Sequence, residues 1–192
     1  MTNSQEDSRQ TAILNSAFQA FATYGFRKTS MDDIAKGAGM SRPAVYLHFK
    51  NKEAIVGALT RHYYEKKVAL VEQALTEDGS VPQILSNAIQ VQVEGLAAIL
   101  ASPHGLEMLD NTKSMATDIV QEGEAALTRH YADWLRREES VGRVKLQAAP
   151  EDIAKTITSS LKGVKLTATS AEEFEQRITQ LAALLGAGLA VR

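Results

Sequence analysis

The sequence predicts an all-α fold of about nine helices: an N-terminal three-helix segment carrying a helix-turn-helix, followed by a larger helical body. Three observations carry this reading. Apolar residues recur at three- and four-residue spacing along most of the chain, and no run alternates convincingly as a strand would. Capping residues and punctuation fall between the periodic runs, with Ser30, Ser41, Asn51, Ser80 and Ser170 placed to open helices and Gly37, Gly79 and Pro103 placed to close them. The 192 residues are 44% apolar with only four prolines, which suits a packed helical protein of one or two domains.

The first helix is expected over residues 8–24, with Leu14, Ala17, Phe18 and Phe21 as its buried stripe. The second starts after Ser30, whose hydroxyl can accept from the N–H of Asp33 while the Asp33 carboxylate reaches back, a carboxylate version of the capping box. Met31, Ile34 and Ala35 give it an apolar face, and Gly37 and Gly39 suit the sharp turn that follows. Ser41 caps a third helix, which tolerates Pro43 in its first turn because the early N–H groups have no intrahelical partner. Val45 and Phe49 are one turn apart and can face the core. Arg42, Ala44, Tyr46 and His48 are left nearer the surface, a short polar face of the size that enters a major groove. Asn51 then opens a long helix over residues 51–75. Lys50 and Lys52 stand beside its free N–H groups, the two ingredients of a phosphate site.

Beyond Gly79, Ser80, Pro82 and Gln83 combine a cap, an early proline and a capping-box partner for a helix over residues 80–102. A short helix over 104–109 and a long one over 112–139 follow, the latter carrying Met115, Ile119, Leu127, Tyr131, Trp134 and Leu135. Pro150 opens the next, and Ser170 with Glu173 opens the last.

Residues 17–59 resemble the tetracycline repressor-like (TetR) transcriptional regulators. The resemblance rests on Tyr24-Gly25-Phe26, Thr29-Ser30-Met31, Ile34-Ala35, Ala38-Gly39-Met40-Ser41, Tyr46-Leu47-His48-Phe49 and Lys52-Glu53, and covers the first quarter to third of the chain. It implies a DNA-binding domain over 1–51 and an effector-binding and dimerisation domain over 52–192. By position it implies phosphate contacts from Thr29, Tyr46 and Lys52, and base or groove contacts from Ser41, Arg42, Pro43 and His48, beside the Lys50 already singled out. Pro43 stands where many members carry glycine or another small residue, which sets this chain's local base contacts apart.

The last two helices carry much apolar surface. Phe174, Ile178, Leu181, Leu184, Leu185 and Leu189 mark one, while Ile153, Ile157, Leu161 and Val164 mark the other, interspersed with Ala154, Ser160 and Gly163. Two such helices from each of two chains would make a four-helix contact, with core packing inside one subunit as the alternative. The resemblance favours a homodimer reading two halves of a roughly palindromic operator, with Ile157, Leu161, Val164, Phe174, Ile178, Leu181 and Leu185 at the contact. A regulator also needs something to alter its DNA affinity. A small, mainly apolar effector is expected in a cavity of the body, lined by Leu96, Leu100, Met108, Met115 and Ile119, with His104, Asn111 and Trp134 as polar or aromatic anchors; the alternative is that these residues are plain core. Because the 51–75 helix is continuous, a displacement of its C-terminal half would move Lys52 and the recognition helix.

Charge is divided unevenly. Residues 1–67 carry ten Lys/Arg against six Asp/Glu, and residues 68–192 carry eleven against seventeen, so the net charge of −2 hides a basic N-terminal part. With no cysteine there is no disulfide framework, thiolate metal site or thiol nucleophile. The first ten residues lack a cationic region followed by an apolar core, and the longest apolar run, Leu96–Ala101, is too short to span a bilayer, so a cytoplasmic protein without membrane attachment is expected. His104, Glu107 and Asp110 share a spacing that could hold a metal, but the chain has no phosphate loop and no Gly-x-Ser-x-Gly elbow. The expectation is therefore a repressor with no catalytic residues, metal or cofactor. The alternatives are a non-specific architectural DNA-binding protein without effector, or a helical ligand carrier or enzyme.

Overall fold

The computed structural model describes residues 2–189, with side chains from Glu6 onward. Among the described residues the fold is all-α, with ten helices in the order α1 (Thr2–Tyr24), α2 (Met31–Gly37), α3 (Arg42–His48), α4 (Lys52–Ala74), α5 (Val81–Val93), α6 (Leu96–Ala101), α7 (Gly105–Met115), α8 (Thr117–Ser140), α9 (Pro150–Thr167) and α10 (Ala171–Leu189). The chain forms two compact units, Met1–Tyr63 with Ile99–Val120, and Tyr64–Ala98 with Gln121–Arg192. The unit that holds the helix-turn-helix is therefore larger than the expected 1–51, because it includes α7 and the first half of α4. The His104 N–H donates to the Ala22 carbonyl at 3.1 Å, and Met108 packs on the core of the headpiece.

That first core is built from Ile13, Ala17 and Phe21 of α1, Met31, Ile34 and Ala35 of α2, Val45 of α3, Phe49, and Ile55 and Val56 of α4. Ile13 takes the fully buried place expected of Leu14, while Leu14 and Phe18 are half-buried. The Ser30 hydroxyl accepts from the Asp33 N–H at 3.2 Å and the Ser30 N–H donates to the Asp33 carboxylate at 2.9 Å, so the capping box closes as expected. The Ser30 hydroxyl, which donates to the Asp33 carboxylate at 2.6 Å, and the Ser30 N–H together hold the Asp33 pKa below the usual carboxylate value. Gly39 turns the chain between α2 and α3 with φ +66°, a left-handed conformation that glycine adopts without the steric penalty of a β-carbon. Met40 N–H reaches back to the Ala35 carbonyl at 2.9 Å to close the turn.

In the second unit α10 lies against α5 and α9. Its buried positions are Phe174, Ile178, Ala182 and Gly186, four residues apart, so side-chain volume tapers along the contact. A β-carbon added at Gly186 would stand 3.0 Å from the Pro82 Cα, so α10 can approach α5 this closely only without a side chain there. Ile157, Leu161 and Val164 of α9 are buried in the same unit, with Leu127, Tyr131, Trp134 and Leu135 of α8. The Tyr131 phenol donates to Gln92 at 2.8 Å, and burial pushes its pKa up. The Trp134 indole N–H is buried without a hydrogen-bond partner among the described residues.

Three expected boundaries change. The 80–102 segment divides into α5 and α6 at Glu94 and Gly95, where φ reaches +83°. Lys67, whose side chain is only 5% exposed, donates to the Val91 and Glu94 carbonyls at 2.7 and 2.9 Å, supplying a cation to the C-terminal end of α5. Helix α7 continues to Met115 instead of stopping near residue 109, and α8 begins only at Thr117, because Ala116 leaves helical geometry. Val81–Ala101 as a whole is long and apolar enough, by length and composition, to cross a membrane, which the run Leu96–Ala101 alone is not. In the fold it is two helices, and it buries Val81, Ile84, Leu85, Ala88, Ile89 and Val93 in the core.

Candidate nucleic-acid interface

Helix α3 is held by what its neighbours bury. Val45 is fully enclosed and Phe49 nearly so, as the sequence led us to expect, and this fixes which side of the helix turns outward. The Ser41 hydroxyl accepts from the Ala44 N–H at 3.3 Å, and Pro43 occupies the first turn. Ser41, Arg42, Pro43, Tyr46 and Lys50 are exposed, whereas His48 and Ala44 are half-buried. Arg42 lies across the Tyr46 ring, its guanidinium carbon 5.6 Å from the ring centroid and Nη2 at 3.5 Å from the hydroxyl. Together they form one surface with a planar cation and an aromatic edge.

Leu47 was missed by the polar-face reasoning. It is 86% exposed, the most exposed large apolar side chain among the described residues. The available signal was its position two residues from both Val45 and Phe49, which turns it away from the core.

Two of the expected phosphate contacts are arranged differently. Thr29 is buried, and its hydroxyl donates to the Gly25 carbonyl at 2.8 Å and the Ala20 carbonyl at 3.2 Å, so the group expected to meet a phosphate is turned inward. Lys52 bends back over the Phe26 ring, with its ammonium 4.4 Å from the ring centroid, and donates to the Phe26 and Thr29 carbonyls at 2.5 and 2.6 Å. A long cationic side chain beside an irregular turn finds carbonyl acceptors that no helix or sheet partner has taken. The clamp ties the 26–29 turn to the start of α4, where Asn51 accepts from the Ala54 N–H at 2.8 Å. Arg27 and Lys28 of that turn are exposed, as is Lys50, and they extend the basic rim.

The expected effector residues are divided between the two units. Leu100, His104, Met108, Asn111, Met115 and Ile119 belong to the first, and Leu96 and Trp134 to the second. Leu96 and Trp134 are buried and Met115 is 38% exposed. Leu100, His104, Met108, Asn111 and Ile119 are half-buried. His104 Nδ1 meets the Glu107 carboxylate at 2.9 Å, and no group of three His, Asp or Glu side chains among the described residues converges to hold a metal. Within the second unit a cleft of about 500 Å³ opens along α10 and the α5–α6 junction, lined by residues including Gln90, Glu94, Ala97, Phe174, Glu175 and Thr179. It contains none of the expected effector residues.

The expected dimer residues also divide. Ile157, Leu161, Val164, Phe174 and Ile178 are at most 8% exposed within a single chain, because they form that chain's own core. Leu181 and Leu185 are half-buried, and the open apolar positions on these helices are Leu184 at 72% and Leu166 at 61% exposed.

Residues 13–59 match the model of the bacterial regulatory proteins of the tetR family, spanning α1 through the first turns of α4. EthR, an HTH-type transcriptional regulator of Mycolicibacterium smegmatis, is 47% identical over 53 residues, 28% of this chain and 24% of that one. The HTH-type transcriptional repressor Rv1474c of Mycobacterium tuberculosis is 25% identical over 183 residues, 88% of this chain and 87% of that one. The matched region thus spans about a quarter of EthR, and 42% of the Bacillus subtilis regulator YdgC. Among solved structures, SmeT, the repressor of the Stenotrophomonas maltophilia multidrug efflux pump SmeDEF, has the same fold at 23% identity, with a TM-score of 0.70 over 95% of this chain and 90% of that one. Residues 13–59 thus match the tetR family of bacterial regulatory proteins, and the helical fold that carries them is shared with SmeT.

Proposed function

We propose that the chain is a homodimeric, sequence-specific DNA-binding transcription regulator, a cytoplasmic repressor released from a palindromic operator by a small, mainly apolar effector. The observation that carries this reading is α3: Val45 and Phe49 lock it to a buried core while Arg42, Pro43, Tyr46 and Leu47 stand outward within a basic rim. The family match over residues 13–59 supports it, as do relatives named as repressors. A solved complex of SmeT with triclosan, 21% identical to this chain, lends support to an effector. Operator binding also requires the compartment that holds the DNA. Effector and operator are then coupled by linkage: a ligand that favours the state fitting DNA less well must itself bind less well in the presence of operator, by the same factor.

Selection of bound sites from a random duplex pool at near-physiological salt tests the reading. A palindromic motif is expected; enrichment of no sequence, together with a steep loss of affinity with salt, would replace it with architectural binding.

The subunit contact is assigned to the open side of α9 and α10, around Leu166, Leu181, Leu184 and Leu185. Leu184→Glu is expected to give a folded monomer that loses operator binding, read by light scattering and circular dichroism. Ile178→Glu should unfold the second unit instead, because Ile178 is 1% exposed within one chain. A folded Leu184→Glu dimer with full affinity would move the contact elsewhere.

A further inference from the structure

We infer that Leu47 reads the C5-methyl group of a thymine in the major groove, so that each half of the operator carries an A·T pair where Leu47 lies. The inference rests on the reading of α3 as the groove-entering helix and adds to it the chemistry of one contact.

Leu47 projects opposite the Val45 and Phe49 side of α3 and is 86% exposed, packing on little of its own chain. One turn earlier Pro43 is also exposed, so residues i and i+4 make a short apolar ridge along the outward face. The neighbouring polar groups are already committed: Arg42 lies on Tyr46, and the Ser41 oxygen accepts from the Ala44 N–H. An isobutyl side chain offers neither donor nor acceptor to a base edge. Of the groups that the four base pairs present in the major groove, the thymine methyl is the apolar one. A leucine held at the surface of a helix inside a basic rim therefore has one complementary partner on unmodified DNA, and the same methyl on 5-methylcytosine has the same chemistry.

The test uses the full-length protein and its selected operator, with each thymine replaced in turn by deoxyuridine, which removes the methyl and keeps the base pair. For the wild type one position in each half-site should lose about fourfold in affinity, the value of one buried carbon, and both together on the order of fifteenfold. Leu47→Ala, which removes exposed atoms only, should fold normally by circular dichroism and be indifferent to deoxyuridine at those positions. For the wild type, a C·G pair there should bind better when its cytosine carries a 5-methyl group. Wild-type affinity unchanged by every deoxyuridine, or a sensitivity that Leu47→Ala retains, overturns the inference while leaving operator recognition in place. A wild type that selects no operator overturns both.

Discussion

Lys52→Ala is expected to weaken binding to every DNA sequence without flattening the salt dependence by a full phosphate contact. The ammonium already donates to the Phe26 and Thr29 carbonyls and covers the Phe26 ring. Its loss leaves two turn carbonyls without their cationic donor. A hydrogen bond to a charged group is worth roughly 1.5–3 kcal/mol, and partial exposure reduces this, so about 2–4 kcal/mol is expected for the pair. The damage falls on the 26–30 segment and the start of α4, where amide hydrogen exchange should accelerate. Were Lys52 instead a phosphate ligand, the salt slope would become shallower by about 0.9 while the headpiece kept its stability. Lys52→Met keeps the apolar stem on Phe26 and removes only the charge, so it should reproduce most of the loss. A normal exchange pattern with a reduced slope would restore the phosphate assignment.

Gly123→Ala should destabilise the second unit by about 2 kcal/mol, although alanine is the better helix former by roughly 1 kcal/mol. A β-carbon at Gly123 would stand 2.2 Å from both Cγ and Cδ1 of Tyr64 and 2.8 Å from its Cβ. Those atoms sit at the root of the side chain, so rotating the ring cannot clear them and one backbone must shift. For a chain of this size the loss corresponds to a fall in Tm of about 4–8 °C. In a Tyr64→Ala background the clash is gone and the propensity term remains, so the same substitution should become neutral or stabilising. That reversal, measured in a double-mutant cycle by chemical denaturation, separates a steric contact from a general intolerance of α8. Equal stability of Gly123→Ala and wild type would remove the close crossing from the account.

Local rules were legible wherever a residue's partner lies within one turn of it. The Ser30 and Asp33 box, the Asn51 cap, the Gly39 turn and the inward pair Val45 and Phe49 all follow from neighbours close in sequence. The candidate interface was legible to the same depth: Arg42 and Tyr46 stand where the spacing puts them. Longer reach is what failed. Thr29 lies in the turn before α2 and Lys52 begins α4, and sequence does not reveal that carbonyls of residues 20, 25, 26 and 29 lie within their grasp. On α10 the expected contact between chains ran through Phe174, Ile178, Leu181 and Leu185, but within one chain Phe174 and Ile178 are core, and the close approach to α5 is made by the small residues Ala182 and Gly186. Where residues 81–101 divide into two helices, Lys67, far away in sequence, reaches the end of the first of them.

The isolation of Trp134 has an optical consequence. It is the sole tryptophan in the chain, it lies wholly within the second unit, and it is shut away from solvent. Indole emission therefore reports on that unit alone, blue-shifted by its apolar surroundings, while the unit carrying α3 contributes only tyrosine and phenylalanine and is dark at those wavelengths. Without any label, the protein carries a built-in means of watching the second unit separately from the one that holds α3.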